Sequence, residues 1–311
     1  MFKRLLSAFG VGGPSVDTVL DSPHATPGEV ITGQVRIQGG SNDVEIGQVV
    51  LSLVTRVEIE HGDHESSRTG EFSRVVVAQG VQVAAGQPLA LPFSLSIPWE
   101  TPITAVGSTH LHGMTVGVRT ELVIAGAPDK GDLDPISVHP LPSQDRVLDA
   151  FGELGFQFRK ADVEAGHLHG VPQELGFYQE IEFFPPAQFR GVVNQVELTF
   201  VANPHELYVV LEADKRGGVF SSGSDAFGHF ALSHHEAQGA DWTGIIGQWL
   251  SEVASRGGGH GGGHGHYEEH GGRRAPGMGA MVGGVAAGVV GGMVLGEVFE
   301  EVGESFGDFE E

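Results

Sequence analysis

The residues best equipped for chemistry are histidines. His110-Leu111-His112 and His167-Leu168-His169 are HxH pairs. On a strand, alternate residues share a face, so each pair would aim two imidazoles together and supply half of a metal site. The flanking Gly113, Gly166 and Gly170 suggest loops instead, and the two pairs fall in different halves of the chain. A denser group, His260, His264, His266 and His270, lies in the glycine-rich tract from Arg256 to Arg274. Imidazoles this close could take zinc or nickel, although a tract without a rigid frame fixes no geometry. Asp225 and His229 stand four residues apart in a loop-like stretch. HExxH, GxSxG and SxxK are all missing, and without cysteine there is no thiol chemistry. The glycines between Gly28 and Leu53 match neither GxxxxGK[ST] nor a GxGxxG leading into a helix, so they read as turns. No residue is therefore assigned a catalytic role, the chain is expected not to be an enzyme, and no cofactor is expected beyond weak zinc or nickel binding at the histidine tract.

The elements around these residues are strands. Val30, Thr32, Gln34 and Arg36 alternate with Ile31, Gly33, Val35 and Ile37, the two-residue period of a half-buried strand. Gly39 to Asp43 is a turn cluster, and Val49 to Ile59 alternates again. Further strands are expected at Val16–Leu20, Phe72–Val77, Leu89–Ile97 and Met114–Ile124. Pro88, Pro92 and Pro98 place the third of these at a sheet edge, because proline cannot donate to a ladder. The polar, proline-bounded stretch 129–135 reads as an inter-domain linker. Its Asp129, Asp132 and Asp134, with Arg119 and Arg146, suggest a polar lock between domains. A second strand series follows at Gln179–Pro185, Asn194–Val201 and Glu206–Glu212, with Asn203-Pro204-His205 as a turn. The fold class is thus all-β, with two tandem β-sandwiches at 1–128 and 136–238.

Beyond the strands the period changes. Trp242, Ile245, Ile246, Trp249, Leu250 and Val253 form one helical stripe within 239–255, with Asp241 near its start. It either packs on the second sandwich or offers tryptophan anchors to a partner. After the flexible spacer 256–274 comes 275–311, an apolar glycine-repeat helix with an acidic end. Gly284, Gly288, Gly292 and Gly296 would give that helix a smooth groove for close backbone contact. Self-association into a homo-oligomer or docking on the body ranks first for this tail, and membrane insertion second, since glycine and alanine are only weakly hydrophobic. Phe2, Leu5, Leu6 and Phe9 make a short amphipathic N-terminal stretch that either docks on the body or touches a membrane surface.

Composition narrows the partners. Among 311 residues, 17 lysines and arginines face 40 acids, for a formal charge of -23. Such a surface repels nucleic acid, which leaves proteins as expected partners. The lack of cysteine fits a reducing cytoplasm, with membrane association through the tail as the alternative. The remaining functions in view are a metal-handling protein and a ligand or glycan binder, the latter with little aromatic platform beyond Trp99.

The order of several signatures resembles the SpoOM family, the sporulation-control proteins of bacteria. They are Met1 to Gly40, Ile46 to Ile59, the FSLSIPWETPIT stretch, Arg119 to Ile136, and Leu148 to Phe158. The resemblance covers about residues 1 to 255, and the histidine-glycine spacer and glycine-repeat tail look like an addition seen in actinobacterial members. It implies an arrestin-like fold of two sandwiches, no enzyme activity, and a regulatory scaffold role in sporulation or development through protein contacts. It carries over no catalytic residues.

Overall fold

The computed structural model describes residues 12–61, 64–126, 130–215 and 226–257, all within one compact unit, Met1–Gly261. The histidine tract, the glycine-repeat tail and the N-terminal stretch lie outside the described residues, as do Asp129 and Asp225.

The fold is all-β. Three antiparallel strands, β1 (Ser15–Leu20), β3 (Val30–Gln38) and β6 (Pro88–Ser96), form a small sheet in the order β1-β3-β6. The alternation of β3 places Ile31, Gly33, Val35 and Ile37 inside and their neighbours outside. β6 lies at the edge, where Pro88 and Pro92 leave no ladder bond unmade. This sheet shares a core with part of a much larger one.

The larger sheet is organised around β4 (Val44–His61), which is hydrogen-bonded along its length to β5 (His64–Val83). Its other edge is divided. Gln48 to Thr55 pairs with β9 (Val116–Val123), and Glu58 pairs with Glu164 of β11 (Gln157–Ala165). Beyond β9 come β10 (Lys130–Val138) and the short β2 (His24–Ala25). Beyond β11, an antiparallel meander runs through β12 (Phe177–Phe184), β13 (Val193–Ala202), β14 (Glu206–Lys215) and β15 (Ala226–Ser233). A two-stranded ribbon, β7 (Ala105–Val106) with β8 (Thr109–His110), completes the strands. From Val49 to Thr55 every residue of β4 is buried, so this strand is covered on both faces rather than alternating.

Helices cover the apolar face of the meander. α1 (Pro142–Leu154) opens on a proline, for which a missing N–H costs nothing in the first turn, and ends at Gly155 with φ +85°. Its Phe151 ring lies 4.4 Å from Phe156 and 4.6 Å from Phe183 of β12. α2 (His234–Gly239) begins with a reciprocal Ser233–Glu236 capping box. α3 (Trp242–Gly257) is capped by Asp241, whose Oδ1 accepts from the Gly244 N–H at 2.9 Å. The Trp249 indole lies against Gly228 of β15, where a Cβ would stand 2.7 Å from its Nε1, so glycine is required by close approach.

Two expectations are corrected. The stretch 129–135 is not a linker from 130 onward: β10 pairs in register with β9, Lys130 opposite Leu122 through Ile136 opposite Val116. Pro135 is tolerated there because β2 meets β10 only at Ser137 and Val138. Residues 142–154, assigned to the second sandwich, form α1, whose period was not anticipated. The two halves are also bonded directly. Gln179 of β12 accepts from the Ile103 N–H at 2.9 Å and donates to the Ile103 carbonyl at 2.7 Å, both buried. Glu100 accepts from the Glu174 and Leu175 N–H groups at 2.7 and 2.8 Å. Among the described residues, no helix is long and apolar enough to cross a membrane.

Candidate functional site

The meander carries its apolar residues on one face and, on the other, a concentration of acids. The strand period explains it: Lys160, Asp162 and Glu164 alternate with Ala161 and Val163, and Tyr178, Glu180 and Glu182 alternate with Gln179 and Ile181. Register then aligns these rows across strands. Glu164 lies opposite both Glu58 and Tyr178, Asp162 opposite Glu180, Lys160 opposite Glu182, Glu182 opposite Glu197, and Glu197 opposite Glu212. Residues directly opposite share a face at about 5 Å, so seven carboxyls from five strands crowd one face of the sheet, two of them buried and five half-buried.

Burial sharpens the electrostatics. Asp162 is 6 % and Glu182 4 % exposed. Lys160 answers both, its Nζ lying 2.7 Å from Asp162 Oδ2 and 3.1 Å from Glu182 Oε1. Burial alone would pull the Lys160 ammonium down, but its hydrogen bonds and attraction to these two carboxylates hold it above the usual lysine range. Arg159 bridges Glu182 Oε2 at 2.6 Å and also bonds Gln195 Oε1. Burial pushes Glu180 up to about 9, with repulsion from Glu197, Asp162, Glu164 and Glu212 adding to it. Its carboxyl is therefore neutral at about pH 7. Burial likewise raises the Tyr178 phenol, with Glu180 the first of its acidic neighbours. Proton retention by Glu180 shows how little more negative charge this face can hold.

The residues singled out in the sequence lie elsewhere. His110, His112, His167 and His169 are all exposed. They do not converge: among the described residues, Glu58, Asp162 and Glu164 form the one group of three or more histidines or carboxylates within ligand distance. His229 lies on β15, its pKa lowered by burial and then by His169, while Asp225 lies outside the described residues. Trp242, Ile246 and Leu250 are buried and Ile245 and Trp249 half-buried, so the α3 stripe packs on the body and presents no exposed anchor. The Trp242 Nε1 donates to the Ala237 carbonyl at 2.7 Å.

The polar lock is also corrected. Asp132 and Asp134 lie on β10 beside β1, within the first half: Asp132 Oδ2 accepts from the Thr18 N–H at 2.7 Å, and Thr18 Oγ1 meets Thr120 Oγ1 at 2.5 Å. Arg119 pairs with Glu71 and Glu121, and Arg146 with Asp149 of its own helix. Gly284, Gly288, Gly292, Gly296, His260, His264, His266 and His270 lie outside the described residues. The acidic face was missed, although its signal, acids at every second position of Lys160–Glu164 and Tyr178–Glu182, is present in the sequence.

Known proteins share this fold. A family model described as SpoOM protein matches residues 2–217. The sporulation-control protein spo0M of Bacillus subtilis (strain 168) is 33% identical over 216 residues, covering 69% of this chain and 81% of that protein. A crystal structure of Spo0M, sporulation control protein, from Bacillus subtilis superposes with a TM-score of 0.68 at 28% identity, covering 78% of this chain and all of the other. With more than half of its length matched by the family model and its sheets reproduced in a solved relative, this chain belongs to the SpoOM protein family.

Proposed function

We propose that this chain is a regulator of sporulation that acts by holding other macromolecules rather than by transforming substrates, and that its acidic sheet face receives a lysine- and arginine-rich segment of a protein partner. The regulatory role rests on similarity to the sporulation-control protein of Bacillus subtilis. The surface assignment rests on one observation, the alignment of Glu58, Asp162, Glu164, Glu180, Glu182, Glu197 and Glu212 across five strands. A face that keeps Glu180 protonated gains from an arriving cationic side chain, which would lower that pKa and return the carboxyl to its charged form. The chain-wide charge of -23 steers such a partner toward it.

Two measurements test the reading. The full chain is expressed in Bacillus subtilis lacking its Spo0M, and spore counts are followed; restored control supports the regulatory role, and unchanged counts with the protein present in the cells overturn it. A labelled lysine- and arginine-rich peptide is then titrated against the full chain and against a Glu197→Gln, Glu212→Gln variant. Binding that weakens with salt and falls about tenfold in the variant supports the face as the contact. Equal binding by both proteins removes it from the proposal.

A further inference from the structure

The acidic face has one corner where chemistry more specific than charge is built in. β4 and β11 belong to different halves and pair at Glu58 and Glu164. Asp162, two residues back on β11, points to the same side. One carboxylate oxygen from each of Glu58, Asp162 and Glu164 lies within 4.8 Å of the other two. Lys160 holds Asp162 Oδ2, and Arg56, itself 60% exposed, stands 3.5 Å from Glu58. The second oxygen of Asp162 is not accounted for. Oδ1 is buried in a residue 6 % exposed and receives no hydrogen bond.

A buried carboxylate oxygen without a donor is costly unless a proton, a water or a cation satisfies it. All the donors here are oxygens, which suits a hard cation and not the softer metals that histidine tracts attract. Coordination habit discriminates further: calcium accepts an irregular set of oxygens, whereas magnesium demands near-ideal octahedral geometry and gives up its water reluctantly, so three carboxylates fixed by two strands suit calcium better.

We propose that Glu58, Asp162 and Glu164 bind one divalent cation of the calcium class at the seam between β4 and β11. The ion satisfies Asp162 Oδ1 and clamps the first half of the chain to the second where few backbone bonds do so. Water completes its coordination on the exposed side, as partly protein-ligated calcium allows. The site does not depend on the peptide partner proposed above, and its test reads neither sporulation nor peptide binding.

The full chain, stripped with chelator, is titrated with calcium chloride by calorimetry, and its melting temperature is followed up to about 1 mM ion, the range of weaker calcium modules. One ion per chain and a rising melting temperature are expected. Glu58→Gln and Glu164→Gln each reduce calcium affinity about tenfold or more, because ligand charge sets affinity. Glu212→Gln, on the same face but three strands from β11, leaves it within about twofold. Near-ultraviolet circular dichroism confirms that each variant is folded. Equal weakening by all three substitutions shows diffuse attraction to a charged surface and overturns the site, as does the absence of any calcium-dependent heat or melting shift. Magnesium binding as tightly as calcium overturns the assignment of ion class.

Discussion

Asp132 and Asp134 lie two residues apart on one face of β10, but the fold supplies hydrogen-bond donors to only one of them. Asp132 accepts the Thr18 N–H at 2.7 Å and the Leu133 N–H at 3.0 Å. Asp134 has one oxygen buried with no donor. Burial, then repulsion from Asp132 and Asp17, pushes its carboxyl from 3.8 up to about 6. At about 1.4 kcal/mol per unit, a shift of about two units would be worth about 3 kcal/mol. The side chain is only half-buried, and solvent screening reduces this to about 1–2 kcal/mol. The folded protein binds this proton more tightly than the unfolded chain does. The penalty is therefore absent below about pH 4, grows as pH rises toward about 6, and is complete above it. Asp134→Asn is expected to stabilise the protein at about pH 7 and to give no gain at about pH 4. At about 2–4 °C per kcal/mol for a body of this size, the melting temperature at neutral pH rises by about 2–8 °C. Asp132→Ala, which strands the Thr18 N–H, lowers stability by about 1 kcal/mol even after relief of its neighbour. Melting followed by circular dichroism at both pH values decides the matter. An Asp134→Asn protein that melts no higher than wild type at neutral pH, or gains equally at both, refutes the reasoning.

Gln179→Ala leaves the buried N–H and carbonyl of Ile103 without partners and should cost about 2–4 kcal/mol, read as a lower urea midpoint. Trp242→Ala removes a side chain 2 % exposed and should cost about 3–5 kcal/mol, whereas Ile245→Ala, at a half-buried position of the same stripe, should cost clearly less. Equal losses from the two helix variants would mean that α3 does not pack as described.

Strand content was legible because period-two alternation is a local property. β3, β6 and β14 were visible for that reason, and the prolines of β6 marked its edge position. Neighbourhood was not legible. Nothing within 129–135 shows that β9 waits beside it, and its prolines and charges imitate a linker because one edge of β10 is almost unpaired. α1 was legible and went unread: Val147, Ala150, Phe151 and Leu154 fall at i, i+3, i+4 and i+7, with Pro142 at the start and Gly155 just past the end. The candidate site suffered most. Each acid alternation could be read singly, but Glu58 lies more than a hundred residues from Glu164, and only the pairing of β4 with β11 makes them one feature.

That pairing changes how the halves relate. Had 129–135 been a free connector, cutting the chain before it would have released an intact first lobe. In the structure a cut after residue 128 removes β10, and with it Ile136 and Val138 from the shared core and the partner of β9. It also removes Asp132, on which the Thr18 N–H of β1 depends. Burying those two side chains alone contributes about 3–5 kcal/mol, a sizeable share of a domain's total stability. A fragment of residues 1–128 should therefore be unfolded, while 1–141, which restores β10, should recover strand signal by circular dichroism. The full chain should melt in a single transition, because β4 pairs with strands of both halves and Gln179 ties β12 to Ile103. Two separated transitions in the calorimeter, or a cooperatively folded 1–128 fragment, would show that the halves are independent and that β4 is not the shared element described here.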